Sequence, residues 1–217
     1  MRVAVATVAA FSLFQGLNAA PAKLEARQNT RHDLQSGACT KYTLIFARGT
    51  AEPAGNLGSV GTPFAAALAA ALGGGLSVQG VDYGASAQGA IAGGDPAGTQ
   101  AMVNWVNAAC SDTKIILGGY SQGAQLVHNS VTALAQAQAN KIHAIVTFGD
   151  PKKSEAYGKG LQAKSMTYCH AGDTICAVTC APTNYMCLIQ NMQVQPPHTT
   201  YPQDVATAAA WVKSIVG

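Results

Sequence analysis

The sequence predicts a single α/β domain in which a parallel sheet is covered by helices on both faces. The chain has 217 residues, enough for one domain of ordinary size with a core of its own. Short apolar segments alternate along it with helical segments, and strands joined by helical crossovers must pair in parallel. No internal repeat or low-complexity linker divides the chain, so we predict no second domain.

The strands and helices are predicted from apolar runs and from capping residues. The predicted strands cover residues 42–47, 76–81, 114–117, 142–148 and 164–168. The predicted helices cover residues 63–72, 99–109, 121–138 and 205–215. The helix over 63–72 has Thr62 as its expected N-cap and three glycines after its end. The last helix can place one apolar face against the sheet.

The N-terminus is predicted to direct export. Residues 1–20 have the order of a secretory signal peptide, with Arg2 before an apolar run that is too short to cross a bilayer of about 30 Å. A buried N-terminal helix is the alternative. Residues 21–27 are predicted to be a propeptide with a basic end at Arg27, which leaves residues 28–217 as one secreted domain.

Composition excludes several classes of protein. Charged residues make up 11% of the chain, against about 25% in typical soluble domains. The formal net charge is only +3. These values argue against a nucleic-acid binder, a charged disordered tail and a coiled coil. After the first segment, the sequence has no run of about 18 apolar residues, so we predict no membrane-spanning helix. A nearly neutral surface does not repel uncharged, apolar material.

The six cysteines are expected to form disulfides, because export places them in an oxidising compartment. Six cysteines allow about 15 pairings. The most economical set joins Cys39 to Cys110, Cys169 to Cys176 and Cys180 to Cys187. Four of the six lie between positions 169 and 187, with a histidine among them, so a zinc site is the alternative. Their spacing lacks the paired C-x-x-C knuckles of structural zinc sites.

The segment Gly119-Tyr120-Ser121-Gln122-Gly123 has the form G-x-S-x-G between an apolar strand and a helix. In that form a serine occupies a sharp strand-to-helix turn, and glycines on either side avoid collisions with neighbouring backbone. The helix that follows directs amide donors toward an anion. The pentapeptide alone is a weak signal in a glycine-rich chain, but its placement predicts that Ser121 is a nucleophile.

A nucleophilic serine needs a histidine base and a carboxylate that orients the histidine. In the hydrolases that use this turn, the chain order is serine, acid, histidine. His198 fits that order, whereas His170 precedes the favoured acid. The other histidines are poorly placed: His32, His128 and His143.

Two aspartates compete for the acid position, each just after a predicted strand. Asp173 is preferred, because a loop held by Cys169 and Cys176 can keep a carboxylate at a set distance from the histidine. Asp150 precedes a proline and is interpreted as a turn former.

These residues resemble the fungal cutinases. The matching motifs, in order, are Phe46-Ala47-Arg48-Gly49-Thr50, Gly55-Asn56-Leu57-Gly58, Gly118-Gly119-Tyr120-Ser121-Gln122-Gly123, Gly172-Asp173-x-x-Cys176 and Pro197-His198-x-x-Tyr201. The resemblance implies a secreted, lidless, monomeric α/β-hydrolase, a three-layer sandwich with a five-stranded parallel sheet. Its implied activity is hydrolysis of the plant polyester cutin and of short-chain esters.

Residue roles follow from the same resemblance. It implies that Ser121 is the nucleophile, that His198 is general base and then acid, and that Asp173 orients the histidine. The amides of Thr50 and Gln122 are implied to form the oxyanion hole. The resemblance also supports the pairings of Cys39 with Cys110 and of Cys169 with Cys176.

Two features depart from the family pattern. Thr50 stands where cutinases commonly have serine, which keeps a hydroxyl and adds a methyl group. The segment between Asp173 and His198 is long and carries the extra Cys180 and Cys187 among apolar residues. We expect this segment to form a longer lip of the substrate groove and to alter acyl selectivity.

Two other functions stay open at this point. An acetylxylan esterase would share the fold and the serine turn but bind acetylated sugar in a polar groove. A secreted binding or elicitor-like protein on an inactive scaffold would typically lack the serine, the aspartate or the histidine. The sequence has no metal site, nucleotide loop or N-x-S/T sequon, so we expect no cofactor and no N-glycan.

Overall fold

The computed structural model describes residues 29–37, 39–52, 55–180, 184–191 and 193–217. The predicted signal peptide (1–20), the predicted propeptide (21–27) and the first residue of the predicted mature chain lie outside these residues. No helix within the described ranges is both long and apolar enough to span a bilayer.

Five parallel strands form the central sheet, as predicted. They are β1 (Tyr42–Ala47), β2 (Leu76–Gly80), β3 (Lys114–Tyr120), β4 (Ile142–Phe148) and β5 (Ser165–Tyr168). Their order across the sheet is β2-β1-β3-β4-β5. All neighbouring pairs are parallel. The carboxyl ends of the strands therefore meet at one edge of the sheet, where α/β folds place their sites.

Seven α-helices occur among the described residues. They are α1 (Gly58–Leu72), α2 (Ala87–Ile91), α3 (Pro96–Ala108), α4 (Gln122–Ala133), α5 (Gln136–Ala139), α6 (Tyr185–Asn191) and α7 (Val205–Val216). Short 3-10 helices span Asp33–Ser36, Gln162–Lys164, Pro196–Thr199 and Tyr201–Asp204.

The helices cover both faces of the sheet, which confirms the predicted three-layer class. Side chains alternate along each strand, so Phe46 of β1 packs with α1 and α7 on one face. Its neighbour Ile45 packs with α3 and α4 on the other face. Both residues are fully buried. The strands are thus buried between two layers of helices, which fixes the positions of their carboxyl ends.

The first helix begins earlier than the sequence pattern predicts. The helix was expected over 63–72 with Thr62 as its cap, but it begins at Gly58. The Glu52 carboxylate accepts a hydrogen bond from the Ser59 backbone N–H at 2.7 Å and so caps the helix from another segment. Pro63 has no N–H to donate to the Ser59 carbonyl. The helix tolerates this loss because Ser59 is exposed to solvent.

Other bounds and elements also differ from the prediction. The helix predicted over 99–109 spans Pro96–Ala108, because Asp95 caps it and Pro96 begins it. The strand predicted over 114–117 continues to Tyr120. The helix predicted over 121–138 is divided into α4 and α5, because Leu134 takes an extended conformation. The short helices α2 and α6 were not predicted, since their lengths of 5 and 7 residues are too small for a periodic pattern.

All six cysteines are paired in the structure, in the three predicted combinations. The segment between Cys169 and Cys187 therefore offers no free thiolate for the alternative zinc site. The bond from Cys39 to Cys110 connects the residues before β1 to the end of α3. The other two bonds each link residues 7 positions apart, near the carboxyl edge of the sheet.

Replacing Cys39 and Cys110 together with serine is expected to lower the free energy of unfolding by about 4 kcal/mol, because the bond restricts a long loop in the unfolded chain. The sequence separation is 71 residues. The matched replacement of Cys180 and Cys187 is expected to cost about 2 kcal/mol. Chemical denaturation of both variants measures the difference, and equal losses would contradict the loop-length argument.

Candidate active site

Ser121 lies at the sharp turn between β3 and α4. Its backbone has a φ of 56°, a conformation that favours glycine, and its N–H donates to the Phe148 carbonyl at 2.9 Å. Gly123 lets the turn close, because a Cβ there would overlap the Ala47 carbonyl oxygen. A Cβ at Gly119 would likewise overlap the backbone of Gly123. The two glycines therefore permit the conformation that directs Ser121 toward the carboxyl edge of the sheet.

His198 and Ser121 are in hydrogen-bond contact. The Nε2 atom of His198 lies 2.9 Å from the Ser121 Oγ atom. The histidine belongs to the 3-10 helix Pro196–Thr199 and is buried. The Tyr120 hydroxyl donates to the His198 carbonyl at 2.8 Å, so the residue before the serine holds the backbone of the histidine.

Asp173 is bonded to the other nitrogen of the same ring. Its Oδ2 atom lies 2.8 Å from the His198 Nδ1 atom. The Tyr201 hydroxyl donates to the same oxygen at 2.6 Å. The Oδ1 atom accepts the backbone N–H groups of Ile175 and Cys176, at 3.0 and 3.3 Å. Four donors thus orient a buried carboxylate, on the loop that the bond from Cys169 to Cys176 closes.

These contacts keep Asp173 ionised. Burial raises the pKa of its carboxyl, but the hydrogen bonds from His198 and Tyr201 outweigh burial, and the pKa lies below its ordinary value. Burial also raises the pKa of the Tyr201 hydroxyl, and the bond to Asp173 raises that pKa further. Tyr201 therefore remains a hydrogen-bond donor to the carboxylate.

Asp150, the competing aspartate, is bonded elsewhere. Its Oδ2 atom accepts from His128 Nε2 at 3.0 Å and from the Thr147 hydroxyl at 2.9 Å. Its Oδ1 atom accepts the Lys152 backbone N–H at 2.8 Å, the contact expected of a turn former. Asp150 is fully buried. Beyond the predicted turn, it is therefore half of a second buried aspartate–histidine pair.

Thr50 and Gln122 lie beside each other at the same edge. The Gln122 Nε2 atom donates to the Thr50 hydroxyl oxygen at 2.9 Å and to the Ser86 carbonyl at 2.7 Å. The Glu52 carboxylate accepts the Gly49 backbone N–H at 2.6 Å. Because Glu52 also caps α1, it ties the loop that carries Thr50 to a rigid helix.

A groove of about 500 Å³ opens over Ser121, Thr50 and His198. Its walls include the apolar side chains of Ile91, Ile175, Ile189 and Val194. The short helices α2 and α6 contact each other at its margin. Three apolar side chains near α6 are exposed, at 65% for Met186, 47% for Ile189 and 63% for Val194. The groove is therefore mostly apolar, and so is its rim.

The cutinase family model matches residues 38–216. The chain belongs to the cutinase family. It is therefore a carboxylic ester hydrolase. The cutinase of Monilinia fructicola is 41% identical over 189 residues, which is 85% of this chain and 88% of that protein. The cutinase of Botryotinia fuckeliana is 42% identical over 190 residues, with coverage of 85% and 87%.

Solved structures agree on the fold. A Trichoderma reesei cutinase in complex with a phosphonate inhibitor matches with a TM-score of 0.73 at 36% identity, over 91% of this chain and 84% of that one. An acetyl xylan esterase matches with a TM-score of 0.59 at 20% identity, over 83% of this chain and 100% of that one. At that identity the second likeness concerns the fold alone.

Several residues that shape this cutinase-family site were not assigned roles from the sequence. Glu52 and Tyr120 act through hydrogen bonds to backbone groups distant in the chain. The sequence signal for Glu52 was its charge, since it is a single glutamate among small residues shortly after Arg48-Gly49-Thr50. Tyr201 belonged to a matching motif, Pro197-His198-x-x-Tyr201, and that spacing places its hydroxyl on Asp173. Tyr120 carried no signal beyond its place next to the serine.

Proposed function

We propose that this protein is a secreted serine esterase that hydrolyses the ester bonds of cutin and of short-chain esters. Ser121 is the nucleophile, His198 the general base and then acid, and Asp173 the residue that orients the histidine. The observation that carries the proposal is the unbroken hydrogen-bonded series from Ser121 through His198 to Asp173, beneath an apolar groove.

In the first half of the reaction, Ser121 is acylated. The Asp173 carboxylate accepts Nδ1–H of His198, which leaves the Nε2 lone pair facing the serine hydroxyl. Nε2 takes the proton as Oγ forms a bond to the ester carbonyl carbon. The carbonyl electron pair moves to the oxygen. When the tetrahedral intermediate collapses, the bond to the alkoxy group breaks and His198 protonates the departing alcohol.

In the second half, water repeats the sequence on the acyl-enzyme. His198 removes a proton from water, the hydroxide attacks the acyl carbon, and the Ser121 Oγ atom leaves with the proton from Nε2. Asp173 stabilises the imidazolium that forms in both halves. Its carboxylate remains charged because its pKa is held below its ordinary value.

The oxyanion is stabilised by the backbone amides of Thr50 and Gln122 in this proposal. The Thr50 hydroxyl adds a third donor. Its oxygen already accepts from the Gln122 side chain, so its own proton is free to turn toward the groove. Donors that are oriented before the reaction stabilise the developing charge without reorganisation.

Replacing Thr50 with valine is expected to lower kcat by roughly 10²-fold, because it removes one preoriented donor. Replacing it with serine, which keeps the hydroxyl, should leave most of the activity. Steady-state hydrolysis of p-nitrophenyl butyrate measures both. An unchanged kcat in the valine variant would show that the hydroxyl does not contact the oxyanion.

The apolar lining of the groove favours a substrate with an apolar acyl group. Its walls carry Ile91, Ile175, Ile189 and Val194, and the last two of these side chains are exposed. A polar sugar would find few hydrogen-bond partners against these side chains. An aliphatic chain that binds there removes its apolar surface from contact with water, which is favourable. These features favour cutin over acetylated xylan.

A chain-length profile tests the substrate. The expected result is faster turnover of butyrate and longer p-nitrophenyl esters than of acetate, with release of hydroxy fatty acids from cutin. Activity confined to acetate and acetylated xylan would instead identify an acetylxylan esterase. A fluorophosphonate probe should label Ser121, and an unlabelled serine would identify a non-catalytic protein.

The processing and state of the chain are part of the proposal. We infer a signal peptide over 1–20, a propeptide over 21–27, and a monomeric extracellular catalytic domain over 28–217. Three disulfides are what an exported domain is expected to contain. The mass of the intact secreted chain tests the cleavage sites. The mass of the particle in solution tests whether the protein is a monomer.

A further inference from the structure

His170 joins the loop of Asp173 to the segment that carries His198. The Asp173 backbone N–H donates to the His170 carbonyl at 3.1 Å, so the two residues share one turn. The Nδ1 atom of His170 lies 3.1 Å from the Pro197 carbonyl and 2.9 Å from the Thr200 hydroxyl. Its Nε2 atom lies 2.7 Å from Asp204 Oδ2. One ring therefore contacts both ends of the segment 197–204.

The ring donates to Asp204 through Nε2. A carboxylate oxygen accepts, so the proton in this contact is carried by Nε2 and donated to Asp204 Oδ2 at 2.7 Å. On the other side, the Thr200 hydroxyl lies 2.9 Å from Nδ1 and 3.0 Å from the Pro197 carbonyl and can donate to either acceptor. His170 and Asp204 therefore form a hydrogen-bonded pair that needs a proton only on Nε2.

The ring also supports Tyr201. The two rings are stacked, with centroids 4.2 Å apart and an interplanar angle of 22°. The His170 backbone N–H donates to the Tyr201 hydroxyl at 3.1 Å, and that hydroxyl donates to Asp173. His170 thus contacts the groups that hold Asp173 and His198 without contacting Ser121.

The other ionisable groups around the ring are few among the described residues. Asp173 and Lys153 border the same surface hollow as His170. Tyr168 lies at the end of β5, where burial and then the Asp204 charge raise the pKa of its hydroxyl. The side chains of His170 and Asp204 are 20% and 22% exposed, so the pair lies at the surface.

We propose that the hydrogen-bonded pair of His170 and Asp204 is a positioning element for the active site, and this inference rests on the proposed function. It holds the segment 197–204 against the Asp173 loop, so that His198 Nε2 stays within hydrogen-bond distance of Ser121 Oγ. A general base must lie within about 2.6–3.2 Å of the proton donor. A displacement of about 1 Å can cost roughly 10²-fold in rate.

The test replaces His170 with phenylalanine, which keeps a flat ring against Tyr201 but removes both ring nitrogens. We expect kcat for p-nitrophenyl butyrate to fall about tenfold, because the base is misplaced. KM should stay within about twofold, because the ring does not line the groove over Ser121. Inactivation by diethyl p-nitrophenyl phosphate, which also needs His198 and Ser121, should slow by the same factor as kcat.

Two further variants isolate this pair of residues. Asp204→Ala removes only the contact at Nε2, so it should lower kcat by no more than His170→Phe does. The double variant should be no slower than His170→Phe, because that change already removes the contact with Asp204. His32→Phe is the matched control. His32 makes an exposed contact to Asp82 at 3.4 Å, beside β2 at the far edge of the sheet, and its loss should leave kcat unchanged.

Three results would overturn the proposal: wild-type kcat in His170→Phe, a raised KM with unchanged kcat, or losses that multiply in the double variant. If His170→Phe does not fold, Asp204→Asn decides, since its amide oxygen can accept from His170 Nε2 and keep the contact. It should recover most of the kcat lost in Asp204→Ala, and no recovery would overturn the proposal. A wild-type protein that neither hydrolyses p-nitrophenyl butyrate nor reacts with diethyl p-nitrophenyl phosphate would instead refute the proposed function.

Discussion

Replacing Ser121 with alanine should abolish ester hydrolysis, with kcat lower by more than about 10⁴-fold. The variant loses the only atom that the proposed mechanism joins to the acyl group, and His198 then has no hydroxyl to deprotonate. Any remaining turnover would come from substrate binding and the oxyanion donors, which can still assist attack by water. Hydrolysis of p-nitrophenyl butyrate measures the loss.

The Ser121→Ala variant is expected to fold normally. Alanine already occupies backbone conformations with positive φ in this chain, at Ala51 and Ala85. The bond from the residue 121 N–H to the Phe148 carbonyl does not involve the side chain. Thermal unfolding and a thiol count should therefore match the wild type.

A matched serine on the helix that follows Ser121 provides the control. Ser130 is fully buried on α4 and donates to the Thr99 carbonyl at 3.2 Å. Ser130→Ala removes a hydroxyl of the same kind without touching the groove, and its kcat should equal that of the wild type. Near wild-type turnover in Ser121→Ala would refute the assignment of the nucleophile.

Replacing Asp173 with asparagine should lower kcat by roughly 10⁴-fold while leaving the overall shape of the site. An amide cannot supply the charge that stabilises the imidazolium of His198. Its NH₂ group, if turned toward the ring, would favour the wrong tautomer and direct a proton from Nε2 at the serine. The KM for p-nitrophenyl butyrate should change little, because Asp173 is buried behind the histidine.

Asp150→Asn is the matched control, since Asp150 is also a buried aspartate bonded to a histidine. It should lower the free energy of unfolding by about 1–3 kcal/mol, because one buried partner is lost. Below the unfolding temperature its kcat should stay near the wild-type value. The reverse pattern of activities would make Asp150 the acid of the triad.

The stability that Asp173 contributes should also depend on pH. Because the pKa of Asp173 is lower in the folded protein than its ordinary value of 3.8, ionisation stabilises the fold above that value. This contribution is lost as pH falls through the folded-state pKa. The difference in unfolding free energy between wild type and Asp173→Asn should therefore shrink in acid. A constant difference from neutral to strongly acidic pH would contradict it.

The strands and the serine turn have clear signals in their own residues, so the sequence predicted them well. The strand over 142–148 has the predicted bounds, because every residue of a central parallel strand faces a covered side of the sheet and must suit burial. The turn at Ser121 follows from Gly119 and Gly123, since only glycine avoids overlap with the backbone there. Both signals lie in the segments themselves, although the overlap that requires Gly123 is with Ala47 of β1.

The helix boundaries were less local. The start of α1 depends on the Glu52 carboxylate, which arrives from a separate segment. The order of motifs and the family resemblance singled out Ser121, Asp173 and His198, and the structure brings these three side chains together.

What only the tertiary structure decided is which group each carboxylate contacts. Asp150 and Asp173 both follow a strand, yet one is bonded to His128 and the other to His198. The contacts of Tyr201 with Asp173 and of His170 with Asp204 join residues 28 and 34 positions apart. Hydrogen bonds act over about 3 Å and depend on direction, so a pattern of residue types predicts which groups can bond but not which ones meet.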